Sequence, residues 1–196
     1  MKEALAVLGG YLLGSLPFGY WVPKLVRGED IRTKGSGNVG ASNVFRVYGR
    51  SLGIPVALLD LAKGFAAASL GLWLGGALFG VLAAAAAMLG HARPVFLRFE
   101  KGGKMVATAG GALVALAPLA AVISIAVWLV VFVVTRYASL ASIVTALTLA
   151  VLVVVLDYPW PIIAFGIAGA AAVIVLHRQN IRRLLGGTEH RFELGR

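Results

Sequence analysis

Long apolar runs alternate with short polar segments along this chain of 196 residues. The apolar runs occupy about positions 4–25, 53–90, 105–134, 139–156 and 161–176. An α-helix needs about 20 apolar residues to cross the hydrocarbon core of a membrane. The pattern therefore predicts an all-α integral membrane protein whose apolar runs form the spanning helices.

Two of the runs are too long for a single crossing. The run at 53–90 divides at "GLWLGG", from Gly71 to Gly76, and the run at 105–134 contains Pro118, which ends or kinks a helix. Dividing both runs predicts seven transmembrane helices, of which those beside Pro118 are short.

The basic residues predict the orientation of these helices. They cluster in residues 27–50, 91–104 and 177–196, and lysine and arginine favour the cytoplasmic side of a membrane. Seven crossings place all three segments in the cytoplasm, with the N-terminus outside and the C-terminus cytoplasmic. Six crossings would send the five arginines of the tail to the wrong side. We expect one membrane domain over residues 1–196.

Composition supports the membrane assignment and excludes several classes of site. The chain is 60% hydrophobic and 13% charged, with a mean hydropathy of +0.91. Its net charge of +10 lies in short clusters between apolar runs, which is typical of membrane loops, so no nucleic-acid partner is predicted. The chain has no cysteine and only three scattered histidines, so no metal site is predicted either.

The first polar segment contains "GSGNVG", which fits the dinucleotide-binding spacing G-x-G-x-x-G. That fingerprint needs a buried strand before it, and the preceding "RGEDIRTK" is polar, so a nucleotide site is disfavoured. Small residues with exposed backbone amides, beside hydroxyl, amide and guanidinium groups, favour an anion instead. The candidate groups here are Ser36, Gly37, Asn38, Ser42 and Arg46.

The second polar segment, "FEKGGKMVATAGG", places a glycine pair between lysines at Lys101, Gly102, Gly103 and Lys104. It is not a Walker loop, because Arg98 replaces the first glycine and Met105 replaces the hydroxyl residue that would bind magnesium. The segment can still hold one phosphate. A plain turn is the alternative interpretation of the glycine pair.

The third polar segment begins "LHRQNIRRLLGGTEH", in which His177 and Asn180 are three apart and so share a helix face. On the predicted topology this segment lies at the same membrane face as Ser142. Interfacial anchoring is the alternative for His177 and for the arginines at helix ends.

Two pairs inside the spans are interpreted structurally. Asp60 and Lys63 are costly in lipid, and we expect them to neutralise each other and hold their helix at the cytoplasmic end. Direct contact with a substrate is the alternative for this pair. Gly10 and Gly14, four residues apart, predict close packing of helices.

In their order and spacing, these segments resemble the motifs of the PlsY family, bacterial membrane glycerol-3-phosphate acyltransferases that use acyl phosphate as donor. The stretches that carry the resemblance are "GSGNVGASNVFRVYG", "LLDLAKG", "HARPVFLRFEKGGKMVATAGG" and "HRQNIRRLLGGTE", and they span nearly the whole chain. The departures are Val39, where proline is usual, Ser42, where threonine is usual, and Met105, where a small residue is usual.

The resemblance implies transfer of a fatty acyl group from acyl phosphate to the 1-hydroxyl of glycerol 3-phosphate, the first acylation step of phospholipid synthesis. The implied products are lysophosphatidic acid and inorganic phosphate, formed at the cytoplasmic face of the inner membrane without a cofactor. The implied partners are the two substrates, the lipid bilayer and, through a functional link, the soluble enzyme that makes acyl phosphate.

The resemblance also implies roles for individual residues. Ser36, Arg46, His177 and Asn180 serve catalysis, Gly102, Gly103 and Lys104 hold the glycerol phosphate, and Glu189 supports the fold. Because acyl phosphate is already activated and no H-x-x-x-x-D pair is present, we expect direct transfer without an acyl-enzyme.

A membrane transporter of phosphate or a phosphorylated metabolite is the alternative function. Transporters commonly show inverted repeats and a binding site near the bilayer midplane. Here the polar residues gather at one edge and the two halves of the sequence show no repeat, so the enzyme is favoured.

Overall fold

The structure, a computed structural model, describes residues 1–192. In this range the chain forms helices and no strand, which confirms the predicted all-α class. The helices are α1 (Lys2–Gly14), α2 (Phe18–Arg27), α3 (Ala41–Tyr48), α4 (Arg50–Ala92), α5 (Val106–Leu116), α6 (Pro118–Thr135), α7 (Ala138–Val155), α8 (Trp160–Leu176) and α9 (Arg178–Leu185), with short 3₁₀ turns at Ile31–Thr33 and Val95–Leu97. The end of the predicted segment 177–196, including Arg196, lies outside the described residues.

Several of these segments are long and apolar enough to cross a membrane. They are Lys2–Arg27, Arg50–Leu97, Pro118–Thr135 and Ala138–Val155. The pair α8 and α9, bent by 59°, forms a further span if it is counted as one, and α5 is a shorter apolar helix.

Both predicted divisions of the long runs are confirmed. The 43-residue α4 is interrupted at Gly75 and Gly76, where the backbone is not helical and Gly76 has a φ of 71°. That left-handed conformation strains any residue with a side chain, so glycine suits the turn. At the second division α5 ends at Leu116, and Pro118 opens α6, a position where its missing N–H is not needed.

A third break was not expected. The apolar run at 4–25 is two helices, because α1 ends at Gly14 and α2 begins only at Phe18. Pro17 lies between them, and proline lacks the N–H that would continue α1 and restricts the residue before it. The break places the Leu16 carbonyl outside the regular hydrogen bonding of a helix.

The chain divides into two compact units, Met1–Leu116 and Ala117–Arg196. In the first unit α4 packs against α1 and α5 through small residues. Gly10 and Gly14 of α1 lie against the backbone of Ala83 and Ala87, which confirms the packing role of these glycines. Buried alanines fill the same contacts, namely Ala67, Ala68, Ala83, Ala84 and Ala87. Small side chains let helix backbones approach closely where lipid supplies little hydrophobic driving force.

A separate apolar cluster lies under the polar segments of the first unit. It consists of Ile31, Val39, Val44, Leu52, Val56 and Leu97. These residues come from the loop before α3, from α3, from the start of α4 and from the turn at Val95–Leu97. The cluster therefore holds residues 27–50, which precede α4, beside residues 91–104, which follow it.

In the second unit α7 packs between α6 and α8, and α9 contacts both α7 and α8. The chain after α9 folds back onto the start of this unit. There the N–H of Phe192 donates a hydrogen bond to the Arg136 carbonyl, and the Phe192 ring lies 5.5 Å from the ring of Phe132.

A methyl group at Gly64 is expected to destabilise the first unit. It would overlap the Thr108 carbonyl and push α4 from α5, and overpacking of this kind costs about 1 to 3 kcal/mol. Gly169→Ala in α8 is the matched control, because a side chain there meets open space and alanine favours a helix. Thermal unfolding of both variants in detergent checks the prediction, and equal midpoints would contradict it.

Candidate functional site

Asn43 organises the glycine-rich loop that precedes α3. Its side chain is buried, and its Oδ1 accepts a hydrogen bond of 2.8 Å from the Ser36 N–H. Its Nδ2 donates to the carbonyls of Lys34, at 3.1 Å, and Asn38, at 2.9 Å. One amide side chain therefore satisfies three backbone groups and closes the loop. Sequence reasoning missed this role, because nothing in the local pattern separates Asn43 from Asn38.

Three amides of this loop are bonded within the protein, which differs from the expectation that the loop exposes its amides to an anion. Besides the Ser36 N–H, the Gly37 N–H donates to the Lys34 carbonyl and the Gly40 N–H donates to Asn38 Oδ1. Loops close this tightly because buried backbone groups must be paired. The polar groups that the loop presents outward are side chains, and Ser36, Ser42 and Arg46 are exposed.

The second glycine-rich loop folds back onto the end of α4. The N–H groups of Gly102 and Gly103 donate to the carbonyls of Ala92 and His91, at 2.9 and 3.1 Å. A side chain at Gly102 would overlap the His91 carbonyl, and one at Gly103 would overlap the His91 imidazole. The glycine pair is therefore required for close approach, and Lys101 and Lys104 on either side of it are exposed.

Met105 ends this loop in a left-handed conformation, with a φ of 64°. It is the position at which the resemblance leads us to expect a small residue. A side chain in this region is strained, whereas glycine is not. With methionine at position 105 the turn into α5 still forms, and its backbone is locally strained.

The two glycine-rich loops meet. A Cβ atom built on Gly40 would lie 3.9 Å from the Cα of Gly103. The predicted groups Ser36, Gly37, Asn38, Ser42 and Arg46 therefore share one end of the first unit with Lys101, Gly102, Gly103 and Lys104.

Arg32 also links the two polar segments. Its guanidinium donates to the Asp30 carboxylate at 2.8 Å and to the Glu100 carboxylate of the second segment, and it lies 4.9 Å from the centre of the Tyr20 ring. The hydrogen bonds from Arg32 lower the pKa of Asp30. The pairing is half-exposed, so its main effect is on the geometry of the segments rather than on stability.

Asp60 and Lys63 form the ion pair that their spacing predicts, with Nζ 2.8 Å from Oδ1. Lys63 Nζ also donates to the Leu16 carbonyl, at 2.9 Å, and lies 2.8 Å from His91 Nδ1. All three side chains are buried. His91 was not a predicted site residue. Its position at the start of the stretch "HARPVFLRFEKGGKMVATAGG" could have indicated it as a site residue.

Glu189 is the centre of the polar cluster in the second unit. Its Oε1 accepts hydrogen bonds from Ser139 Oγ, at 2.8 Å, and from Asn180 Nδ2, at 2.7 Å. Its Oε2 accepts a hydrogen bond of 2.7 Å from Arg183 Nε. Burial acts to raise the pKa of Glu189, but the hydrogen bonds from Asn180, Arg183 and Ser139 outweigh it, so the pKa is lowered.

His177 and Ser142 also lie in the second unit. His177 is buried at the end of α8, and its Nδ1 lies 2.8 Å from the carbonyl of Val173. Ser142 Oγ donates to the Ala138 carbonyl and accepts a hydrogen bond from Trp128 Nε1. The second unit thus contains Ser142, His177, Asn180 and Glu189 of the predicted set. Among residues 1–192, no three His, Cys, Asp or Glu side chains are grouped as metal ligands.

The chain matches the sequence model of "Glycerol-3-phosphate acyltransferase" over residues 4–187. It is 48% identical over 191 residues to a glycerol-3-phosphate acyltransferase of Synechococcus sp. (strain JA-2-3B'a(2-13)), with 97% of this chain and 95% of the relative covered. It is 47% identical to glycerol-3-phosphate acyltransferase 2 of Moorella thermoacetica, with 95% and 96% covered.

Solved structures show the same likeness. The crystal structure of PlsY (YgiH), an integral membrane glycerol 3-phosphate acyltransferase, in its glycerol 3-phosphate form matches with a TM-score of 0.93 and 42% identity. The match covers 98% of this chain and 96% of that chain. The lysophosphatidic acid form of the same protein matches with a TM-score of 0.88 and 41% identity.

We predict that Asn43→Asp lowers the thermal midpoint. The carboxylate keeps the acceptor for the Ser36 N–H but faces the carbonyls of Lys34 and Asn38 with no donor, and an unsatisfied buried group costs about 1 to 3 kcal/mol. Asn38→Asp is the matched control for stability, since it keeps the oxygen that accepts from Gly40. An equal drop in both midpoints would contradict the role of Asn43.

Glu189 is expected to make the stability of the second unit depend on pH. A carboxylate whose pKa is lowered on folding stabilises the protein above its ordinary pKa of 4.5, and this contribution is lost as the pH falls through the folded value. The stability advantage of the wild type over Glu189→Gln should therefore shrink as the pH is lowered from 7 to below 4.5. Thermal midpoints of both proteins across this range check it, and parallel curves would contradict it.

Proposed function

Because this chain belongs to the glycerol-3-phosphate acyltransferase family, of the PlsY type, we propose that it transfers a fatty acyl group from acyl phosphate to the 1-hydroxyl of sn-glycerol 3-phosphate. The products are lysophosphatidic acid and inorganic phosphate. The observation that carries the proposal is the meeting of two glycine-rich loops beside exposed cationic side chains, in a chain 42% identical to a protein solved in its glycerol 3-phosphate form.

Both substrates are phosphates, so the site needs two groups of anion-binding side chains. The first loop offers Ser36, Ser42 and Arg46, and the second offers Lys101 and Lys104, all of them exposed. Since the Gly37, Gly102 and Gly103 amides are engaged within the protein, charge-assisted contacts from these side chains bind the phosphates. Gly102 and Gly103 let the second loop lie close to α4, and Lys104 holds the glycerol phosphate.

His177 and Asn180, two buried polar residues of the second unit, serve activity in this proposal. His177 Nδ1 donates to the Val173 carbonyl, and this hydrogen bond fixes the orientation of the ring. Asn180 is oriented by its hydrogen bond to Glu189, which gives Glu189 its structural role. Gly37, Asn38 and Ser142 complete the substrate-binding set.

The reaction requires little from the protein beyond position and charge. The 1-hydroxyl oxygen attacks the acyl carbonyl carbon and forms the new ester bond, and the bond from that carbon to the phosphate oxygen breaks. The electron pair of that bond leaves with the phosphate, which also accepts the hydroxyl proton. Positioning and electrostatic stabilisation are sufficient for so activated a donor, and no cofactor is used.

We further propose that the protein is one membrane domain with seven crossings, its N-terminus outside and its active site at the cytoplasmic face of the inner membrane. Two observations support this topology. One is that α4 divides at Gly75 and Gly76 and that the next apolar run divides before Pro118, as seven crossings require. Trp73 and Trp160, near the two turns proposed to lie outside, are each more than two-thirds exposed, as expected of an aromatic belt. The soluble enzyme that makes acyl phosphate would supply the donor at the cytoplasmic face.

A two-substrate assay tests the proposed reaction. The purified protein is reconstituted in vesicles and given acyl phosphate with labelled glycerol 3-phosphate. We expect labelled lysophosphatidic acid to form only when both substrates are present. Movement of labelled glycerol 3-phosphate into the vesicles without lipid formation would favour the transporter and overturn the enzyme.

The mechanism predicts that Ser36 forms no covalent intermediate. A serine nucleophile would need a base to take its proton and would remain acylated until the acceptor arrived. Incubation with radiolabelled acyl phosphate alone, followed by an acid quench, should leave the protein unlabelled. Covalent label that is present on the wild type and absent from Ser36→Ala would refute direct transfer.

A further inference from the structure

The Lys63 ammonium has three polar partners in the buried cluster that it forms with Asp60 and His91. An ammonium has three N–H donors and no acceptor. Here it donates hydrogen bonds to His91 Nδ1 at 2.8 Å and to the Leu16 carbonyl at 2.9 Å, and it forms an ion pair with Asp60 Oδ1 at 2.8 Å. The side chains of Asp60 and Lys63 are each only 2% exposed. Since burying an ion pair rarely increases stability over an apolar replacement, the arrangement calls for another role.

The cluster joins parts of the first unit that are distant in the chain. The Leu16 carbonyl belongs to the break between α1 and α2, Asp60 and Lys63 lie before the Gly75 break in α4, and His91 lies after it. These groups line a narrow crevice together with Phe18, Gly19, Val39 and Pro94. Val39 belongs to the first glycine-rich loop, so the cluster lies directly under the loops of the candidate site.

His91 connects the cluster to the second glycine-rich loop through both its backbone and its ring. Its carbonyl accepts the hydrogen bond from the Gly103 N–H, and its Nε2 edge lies against Gly103. Lys63 Nζ can only donate, so Nδ1 is the acceptor and the neutral ring carries its proton on Nε2. A change in the position of Lys63 is therefore transmitted to the imidazole and then to the backbone that precedes Lys104.

We propose that Lys63, held by Asp60, is a positioning residue that sets the imidazole of His91 and thereby the Gly103–Lys104 backbone for the phosphate of glycerol 3-phosphate. This inference rests on the proposed function. Loss of the contact between Lys63 and His91 should impair glycerol phosphate binding and leave the donor site and the chemical step nearly unchanged. Neither Lys63 nor His91 touches substrate in this assignment.

Two substitutions of His91 separate positioning from packing. His91→Phe keeps the ring but removes the acceptor, and we expect its KM for glycerol 3-phosphate to rise about tenfold, with kcat and the KM for acyl phosphate within about twofold of wild type. His91→Asn restores an acceptor near the place of Nδ1 and should recover most of the lost affinity. Lys104→Ala is the positive control for a raised KM. Gly10→Ala, whose added methyl group would overlap the Ala83 carbonyl, is the control for general destabilisation.

Two results of this series would overturn the inference. One is a folded His91→Phe variant with an unchanged KM for glycerol 3-phosphate. The other is an equal rise in KM for His91→Phe and His91→Asn, which would assign the effect to packing alone.

Hydrogen exchange gives a readout that does not depend on turnover or on the His91 variants. In Lys63→Met and in the double variant Asp60→Asn/Lys63→Met, the amides of Gly102 and Gly103 should exchange faster than in the wild type, while those of α6 and α7 should not change. Unchanged exchange at Gly102 and Gly103 would overturn the positioning role. A wild type that makes no lysophosphatidic acid would instead contradict the proposed function, and the exchange result would still decide whether the cluster holds the loop.

Discussion

Polar groups in a membrane protein must be satisfied within the protein wherever water cannot reach them, and this constraint shapes the candidate site. The Lys63 ammonium donates two hydrogen bonds and forms one ion pair, all with groups of the first unit. The Asn43 amide likewise satisfies three backbone groups of one loop. In both cases a single buried polar side chain has several partners from different segments, so that satisfying it also fixes the relative positions of those segments.

This internal satisfaction changes how the glycine-rich loops act. In a phosphate-binding loop of the Walker kind, glycines expose backbone amides to the anion. Here the amides of Gly37, Gly102 and Gly103 are bonded to carbonyls of the protein. The glycines instead allow close approach, of one loop to the other and of the second loop to His91. In the proposed function, anion binding then depends on the side chains that these loops carry.

In the proposed reaction, the donor and the protein supply different requirements of catalysis. Acyl phosphate brings its own activation and its own proton acceptor, so the protein contributes orientation and positive charge rather than a nucleophile. To orient the substrates, the segments that carry the site must hold their positions. The apolar cluster under the first loop, the Arg32 link between the two segments and the Glu189 cluster of the second unit each hold such segments by a different kind of contact.

The sequence by itself determined the helical class, the breaks at Gly75–Gly76 and before Pro118, the pairing of Asp60 with Lys63 and the motifs that reveal the family. These features are local, because hydrophobic runs, glycine, proline and an i, i+3 pair act within one segment. The tertiary structure alone decided the partners of buried polar groups. Lys63 meets a carbonyl 47 residues away and a histidine 28 residues away, and Glu189 meets Ser139 across 50 residues. The hydrophobic pattern of the sequence can indicate that such a group is buried. Only the packing of distant segments decides which donor or acceptor comes within hydrogen-bonding distance of it.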